Sequence, residues 1–229
     1  MDETRMNKWG LEDKEAESRR VIREVIEKFG PDKVGVAWSG GKDSTTVLHL
    51  IKQEFGKIIT PVMFIDTSVK FPEIYAFRDK LAKEWNIDLI IARNDEALKS
   101  IEIAKDKKEC CYQLKTLPLR RTIEQNGWRA LITAVRWDEQ EARKDEVYLS
   151  DRDNPPHLRV QPILHFREID IWSYIKKYDV PYCELYHKGY RSLGCKPCTT
   201  LGSANGPERS GRDQNKEEIM QKLRDLGYF

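Results

Sequence analysis

The stretch that most constrains this chain is Val34 to Leu50, VGVAWSGGKDSTTVLHL. Val34, Val36 and Trp38 form a short apolar run that suits a buried parallel strand. Ser39-Gly40-Gly41-Lys42-Asp43-Ser44 then turns the chain, and Thr45 to Phe55 continues with Val47, Leu48, Leu50 and Ile51 at helical spacing. Strand, glycine turn and helix start together make an anion site. The first amides of a helix have no partner within it, and its dipole favours negative charge there. Gly40 and Gly41 let the backbone approach oxyanions, Lys42 adds a mobile cation, and the Ser39 and Ser44 hydroxyls can donate. The pattern is not G-x-x-x-x-G-K-[ST], because Asp43 stands where that motif has a hydroxyl. An ordinary glycine turn leaves the coincidence of six specific residues unexplained.

The rest of the chain repeats the alternation. A strand at Val62–Ile65 ends in Asp66-Thr67-Ser68, and a helix is expected from Pro72 to Trp85. Further strands are expected at Asp88–Ala92 and Ala130–Ala134, the latter leading to the polar loop Arg136–Arg143. Strands alternating with helices predict an α/β fold with a mainly parallel twisted sheet and helices on both faces. Ligands of such sheets bind beyond the carboxyl ends of the strands, where the glycine turn, Asp66-Thr67 and Arg136 all fall.

Other segments read as follows. Residues 1–30 form a charged, frayed start and an amphipathic helix carrying Val21, Ile22, Val25, Ile26 and Phe29. Residues 138–159 are mostly charged, include Asn154-Pro155-Pro156, and are expected to be a mobile excursion over the site. Arg167–Tyr178 reads as a helix with Ile169, Ile171, Trp172 and Ile175 inward. Val180–Gly211 is turn-rich, and Lys216–Leu226 reads as a closing helix.

The charge balance, 40 basic against 38 acidic residues, does not demand a nucleic-acid partner. No run approaches the roughly 18 apolar residues of a membrane helix. The start, MDETRMNKWG, has no apolar signal region, so a cytoplasmic protein with reduced thiols and no membrane partner is expected. Its five cysteines then read as metal ligands, catalytic groups or core fillers before disulfides.

Placed together, these pieces resemble the phosphoadenylyl-sulfate (PAPS) and adenylyl-sulfate (APS) reductase family. That family lies within the PP-loop ATP pyrophosphatase superfamily and includes the sulfate adenylyltransferase small subunit and DNA-phosphorothioation proteins. The resemblance rests on SGGKDS, on Asp66–Asp79 (DTSVKFPEIYAFRD), on Cys110-Cys111 and on Arg136-Trp137-Asp138-Glu139. It continues through Pro162–Tyr186 and Gly189–Thr199 (GYRSLGCKPCT). It implies an adenine nucleotide α hydrolase-like fold with adenine beside the first two strands. It also implies a nucleotide-binding domain over residues 31–180, with 181–229 a Cys-x-x-Cys segment and tail packed on it.

The implied site follows residue by residue. Ser39, Gly40, Gly41, Lys42, Asp43, Ser44, Asp66 and Thr67 would bind ATP, with Asp43 holding Mg²⁺ and Asp66 the ribose or metal. Lys42, Asp43 and Arg136 would be catalytic, and Arg143, Arg209 and Arg212 would take a phosphate or sulfate oxyanion. Cys110, Cys111, Cys195 and Cys198 match the Cys-Cys and Cys-x-x-Cys halves of [4Fe–4S] reductases, with four-thiolate zinc as the other metal. The pair is expected to open a helix near Tyr112, with Lys115 and Arg120 offsetting the cluster's charge, while Cys183 reads as a core filler.

The chain departs from the reductases in two ways. They carry a tail cysteine, whereas no cysteine follows Cys198 here, and their loops tend to be degenerate, whereas SGGKDS is intact. The expected activity is therefore ATP pyrophosphate cleavage with adenylyl transfer to sulfate, a tRNA base or a DNA phosphate. Alternatives are an APS or PAPS reductase, or a nucleotide-binding subunit of a sulfurylase-type complex. Implied partners are a sulfur donor such as a cysteine desulfurase or thioredoxin-like protein, and a second copy in a homodimer. Lys105, Lys107 and Lys108 read as a solvated face; turned to the cleft, they could receive nucleic acid.

Overall fold

A computed structural model of the chain describes residues 9–203 and 205–225. The expected frayed start at residues 1–8 and the end of the closing helix at Leu226 lie outside the described residues. Six strands form one sheet: β1 (Val34–Trp38), β2 (Val62–Ile65), β3 (Leu89–Ala92), β4 (Ala130–Ile132), β5 (Leu149–Asp153) and β6 (Pro156–Val160). Their order is β3-β2-β1-β4-β6-β5, parallel throughout except for the antiparallel edge strand β5.

Alternation along β1 explains both faces. Val34, Val36 and Trp38 join Val62, Phe64, Ala130 and Ile132 in the larger core. The helices α1 (Leu11–Phe29), α2 (Lys42–Phe55), α3 (Pro72–Glu84) and α7 (Glu168–Tyr178) cover that face. In α7 the buried stripe is Ile171, Tyr174 and Ile175, whereas Ile169 is exposed, against the expectation that it points inward.

On the opposite face Met63, Ala92 and Leu131 pack with Leu119 and Ile123 of α6 (Leu117–Asn126) and with Trp128. Gly35 is required there because a Cβ would come 2.2 Å from the Trp128 ring. The remaining helices are short: α4 (Asp95–Ser100), α5 (Lys107–Cys111), α8 (Gln214–Glu218) and α9 (Met220–Asp225). None of the described helices is long and apolar enough to cross a membrane.

Two expectations change. Residues 138–159 are not an unstructured excursion: they hold two 3₁₀ turns and then β5 and β6, which extend the sheet. Polar inward residues hide the strand: in β6 His157 and Arg159 are buried where an apolar alternation would be expected. Cys110-Cys111 also does not open a helix but closes α5. Asp106 starts that helix earlier by accepting from the amides of Lys108 and Glu109, and a π turn (Tyr112–Thr116) then leads into α6.

Candidate functional site

Loop and helix start are shaped as the sequence implies. Gly40 has φ +78°, and a Cβ there would lie 2.9 Å from Ile74 Cγ2. The amide of Gly41 donates to Ser39 Oγ at 3.2 Å, and the Ser39 amide donates to Ser44 Oγ at 3.2 Å. The α2 ladder begins with Thr45 N to Gly41 O at 3.0 Å, so the amides of Lys42, Asp43 and Ser44 precede it. The Lys42 amide donates to the Tyr186 hydroxyl at 2.9 Å, a contact not legible in the loop motif.

The charges around this loop form a buried quartet. Lys42 is 1% exposed and Arg136 is wholly buried. Lys42 Nζ lies 3.2 Å from Asp43 Oδ2, and Arg136 Nε lies 2.7 Å from Asp43 Oδ1, the latter an ion pair without hydrogen-bond alignment. Glu208, from the C-terminal loop, gives one carboxylate oxygen to Lys42 Nζ and the other to Arg136 Nη2. Arg136 also donates to Asp138 at 2.8 Å.

Burial works against the Lys42 charge, but Asp43, then Tyr186 and Glu208, outweigh it and hold the ammonium above its usual range. Burial raises the Glu208 carboxyl, with Lys42 opposing. The ion pair itself is the direction that decides: two cations face two carboxylates, so both Lys42 and Arg136 stay charged. Sequence reading placed Lys42, Asp43 and Arg136 here but assigned Glu208 nothing.

The loop opens onto a cleft beyond the carboxyl ends of β1, β2 and β4, where the strand order reverses about β1. It has two adjoining lobes of about 190 and 220 Å³ that share Ala37, Ser39, Ile65, Arg143, Leu193 and Arg212. Arg143 and Arg209 reach the cleft, yet both are bonded to Glu139, Arg209 at 2.8 Å, and Arg209 also holds Glu217 at 2.7 Å. Burial disfavours the Glu139 carboxylate, but Arg143 and then Arg209 outweigh it and hold its pKa at about 2. Arg212 differs, having no ion pair among the described residues; its guanidinium lies against Gly194, where a Cβ would come within 2.3 Å. Arg159, which sequence reading passed over, lines the larger lobe.

Asp66, just past β2, is buried and accepts from the Tyr75 hydroxyl at 2.7 Å and the Ser68 amide at 2.8 Å. Burial and then Asp66 push the Tyr75 hydroxyl up to about 12. Thr67 sits between two cavities, its hydroxyl 3.3 Å from Cys195 Sγ.

Cys110, Cys111, Cys195 and Cys198 line one small cavity with Lys107, Lys115 and Lys216. The backbone docks the Cys195 segment on the loop after β2, with Lys196 N donating to Val69 O at 2.7 Å and Lys70 bridging Cys195. Burial raises the Cys195 thiol, yet Lys115 and Lys70 outweigh it and lower its pKa to about 6. Lys107 is not on a solvated face: its Nζ lies 4.0 Å from Cys198 Sγ and 2.9 Å from Asp213. The four thiols have the chemistry of a four-thiolate centre and line one cavity. Among the described residues, however, no three His, Cys, Asp or Glu side chains are gathered closely enough to hold a metal ion. Cys183 lies apart, in the main core.

The phosphoadenosine phosphosulfate reductase domain model matches residues 33–201. A sulfate adenylyltransferase subunit 2 from Pseudomonas putida is 32% identical over 80% of this chain and 68% of its own length. Another, from Saccharophagus degradans, is 29% identical over 96% of this chain and 80% of its own. In fold, the chain is similar to a PAPS reductase from Candida auris in a phosphate complex, with TM-score 0.69 and 21% identity over 80% of this chain and 90% of that one. An FMN adenylyltransferase from Candida glabrata in complex with FAD and pyrophosphate gives TM-score 0.68 and 20% identity over 86% and 69%. The intact loop, the cleft at the switch point and the length of the match agree: the chain belongs to the PAPS reductase domain family.

Proposed function

We propose that this chain binds ATP with Mg²⁺ and transfers its adenylyl group to an acceptor in sulfur metabolism, releasing pyrophosphate. The observation that carries this reading is the pair of buried cations, Lys42 and Arg136, both ion-paired to Asp43 of an intact glycine loop whose Gly41, Asp43 and Ser44 line the cleft. Both are bridged by the Glu208 carboxylate, whose two oxygens present the donors with the same chemistry as a phosphate edge. The triphosphate end of ATP would replace Glu208 there, with the amides of Asp43 and Ser44 and the Ser39 hydroxyl completing the cradle.

Asp43 would hold Mg²⁺ with the phosphate oxygens, the ion supplying further charge neutralisation on the leaving group. Adenine would lie in the lobe lined by Met63, Ile65 and Thr67, with Asp66 at the ribose. An acceptor oxygen attacks the α-phosphorus, the bond to the bridging oxygen of the β-phosphate breaks, and pyrophosphate leaves against Lys42 and Arg136. The cysteine pocket would hold a [4Fe–4S] cluster or zinc in a structural role, fastening the C-terminal segment to the sheet.

The names of the relatives favour a second, compatible reading in which the chain works as one subunit with a partner. Pyrophosphate release from ATP in the presence of sulfate, tRNA or DNA tests the activity. Lys42→Ala should lower its rate about 10²- to 10³-fold. No release with any acceptor, alone or with a co-purified partner, refutes the activity.

A further inference from the structure

Tyr186 holds a place in the site that the loop motif does not account for. Its hydroxyl accepts from the Lys42 amide at 2.9 Å, and its side chain lines the lobe of about 220 Å³ with Gly41, Asp43 and Ser44. Lys42 opens α2, so its amide is one of those that a helix start leaves for a bound anion. That amide is spent on the Tyr186 oxygen instead. The same oxygen lies 3.4 Å from where a Cβ on Gly41 would stand, against the backbone of the loop.

A phenol oxygen that accepts one hydrogen bond still has its own proton to give. Among the described residues that proton meets no acceptor, the Lys42 amide being the one hydrogen-bond partner of the hydroxyl. Other tyrosines beside buried carboxylates have given theirs away, Tyr75 to Asp66 at 2.7 Å and Tyr178 to Glu15 at 2.6 Å. Burial pushes the Tyr186 hydroxyl above its usual range; Lys42 opposes this and Asp43 adds to it, so the group remains a donor. The ring is also held in place. Trp172 meets it edge-on at 5.4 Å and Tyr182 at 6.2 Å, and Lys42 Nζ stands 5.7 Å from its centroid. A side chain fixed in this way loses little freedom when it takes a ligand.

We infer that Tyr186 is a further phosphate-binding residue of the loop, its hydroxyl donating to an oxygen at the pyrophosphate end of the nucleotide. The Lys42 amide then acts on the ligand through the phenol, which it polarises, whereas the amides of Asp43 and Ser44 act directly. The assignment to a nucleotide rests on the adenylyl-transfer reading; the donation to pyrophosphate oxygens does not.

The test uses the full chain in calorimetry, with inorganic pyrophosphate and a non-hydrolysable ATP analogue as probes and adenosine as the control. Tyr186→Phe should weaken pyrophosphate and the analogue alike, about 10-fold, and leave adenosine at parental affinity. Parental pyrophosphate affinity in Tyr186→Phe overturns the inference. An equal loss for adenosine also overturns it, because the pocket as a whole would then have changed.

Tyr186→Phe removes the partner of the Lys42 amide as well, so a second replacement separates the two bonds of the hydroxyl. 3-Fluorotyrosine in place of Tyr186 keeps the hydroxyl but makes it a stronger donor and a weaker acceptor. At about pH 6, where the fluorophenol keeps its proton, it should tighten pyrophosphate binding. Parental or weaker binding would mean that the hydroxyl serves only to accept from the Lys42 amide, and would overturn the inference even if Tyr186→Phe failed to fold. If pyrophosphate binding responds to Tyr186 but ATP releases no pyrophosphate with any acceptor, the adenylyl-transfer reading alone is lost. If the parent releases pyrophosphate while Tyr186→Phe binds it as the parent does, the role of Tyr186 alone is lost. Parent protein that binds neither probe overturns both.

Discussion

Glu208→Gln offers a direct test of the buried quartet. Glu208 makes two charge-assisted contacts, one oxygen to Lys42 and one to Arg136, and all three side chains are nearly or wholly buried. Glutamine keeps one acceptor but turns an amide donor toward the other cation. One charge-assisted contact is lost, about 1.5–3 kcal/mol. Two cations then face Asp43 alone. For a domain of this size a loss of about 2 kcal/mol lowers the melting temperature by about 4–8 °C. If pyrophosphate must displace Glu208, removing that competitor should tighten pyrophosphate by a similar energy, about 30-fold. Calorimetric titration with pyrophosphate and thermal melting of the ligand-free chain read the two effects, which have opposite signs. Lost stability with unchanged or weaker pyrophosphate binding would refute the argument, because Glu208 would then belong to the ligand-bound arrangement.

Other consequences follow from the same geometry. Because Arg143 and Arg209 hold Glu139 at about 2, below the usual carboxylate range, its stabilisation is complete above that range and drains away as pH falls from about 5 towards 2. That contribution is on the order of 3 kcal/mol, and Glu139→Gln should remove it and flatten acid unfolding in that window. His49, His157 and His165, each lowered to about 4 chiefly by burial, add a separate loss as pH drops from about 6.5 to 4. Acid melts of parent and Glu139→Gln should therefore share the upper window and differ in the lower. Anaerobically purified protein should be brown with about four irons per chain, and Cys195→Ser should lose iron and melt at lower temperature together. Stoichiometric zinc in colourless, active protein would make the centre a structural zinc site, and active protein with neither metal would end the metal reading.

The parallel sheet was legible because its signals are local. Each of Val34–Trp38, Val62–Ile65 and Leu89–Ala92 is a compact apolar run followed by a polar turn; burial on both faces permits such runs in β1 and β2, while edge strand β3 leaves Ile91 exposed. The loop was legible for the same reason. Its hydrogen bonds join Ser39 to Ser44 and Gly41 to Ser39, within five residues of one another. The cysteine pairs were also local at each end, but their sharing of one cavity depends on distant contacts: Val69 and Lys70 dock the Cys195 turn, and Lys107 reaches Asp213 and Cys198.

What stayed hidden was set by partners far apart in the chain. Glu208 meets Lys42 across 166 positions and Arg136 across 72, and nothing near Glu208 distinguishes it from the many solvated acids of a chain that is 34% charged. Arg143 and Arg209 looked like available oxyanion ligands because Glu139, which they share, lies four residues from one and 70 from the other. Arg159 was concealed by its own strand. A charged residue in a charge-rich segment reads as surface, and only the pairing of β6 between β4 and β5 puts it inside. The residue types that spoil an apolar alternation are the ones a binding cleft needs at its inner wall. A strand that reads poorly next to a well-formed anion loop is therefore where unpaired buried charge should be sought. Within this cleft that rule selects Arg159: its inward neighbour on β6, His157, is held neutral by burial, and the Glu146 carboxylate that acts on the guanidinium is itself bonded to Gln161 and Arg152.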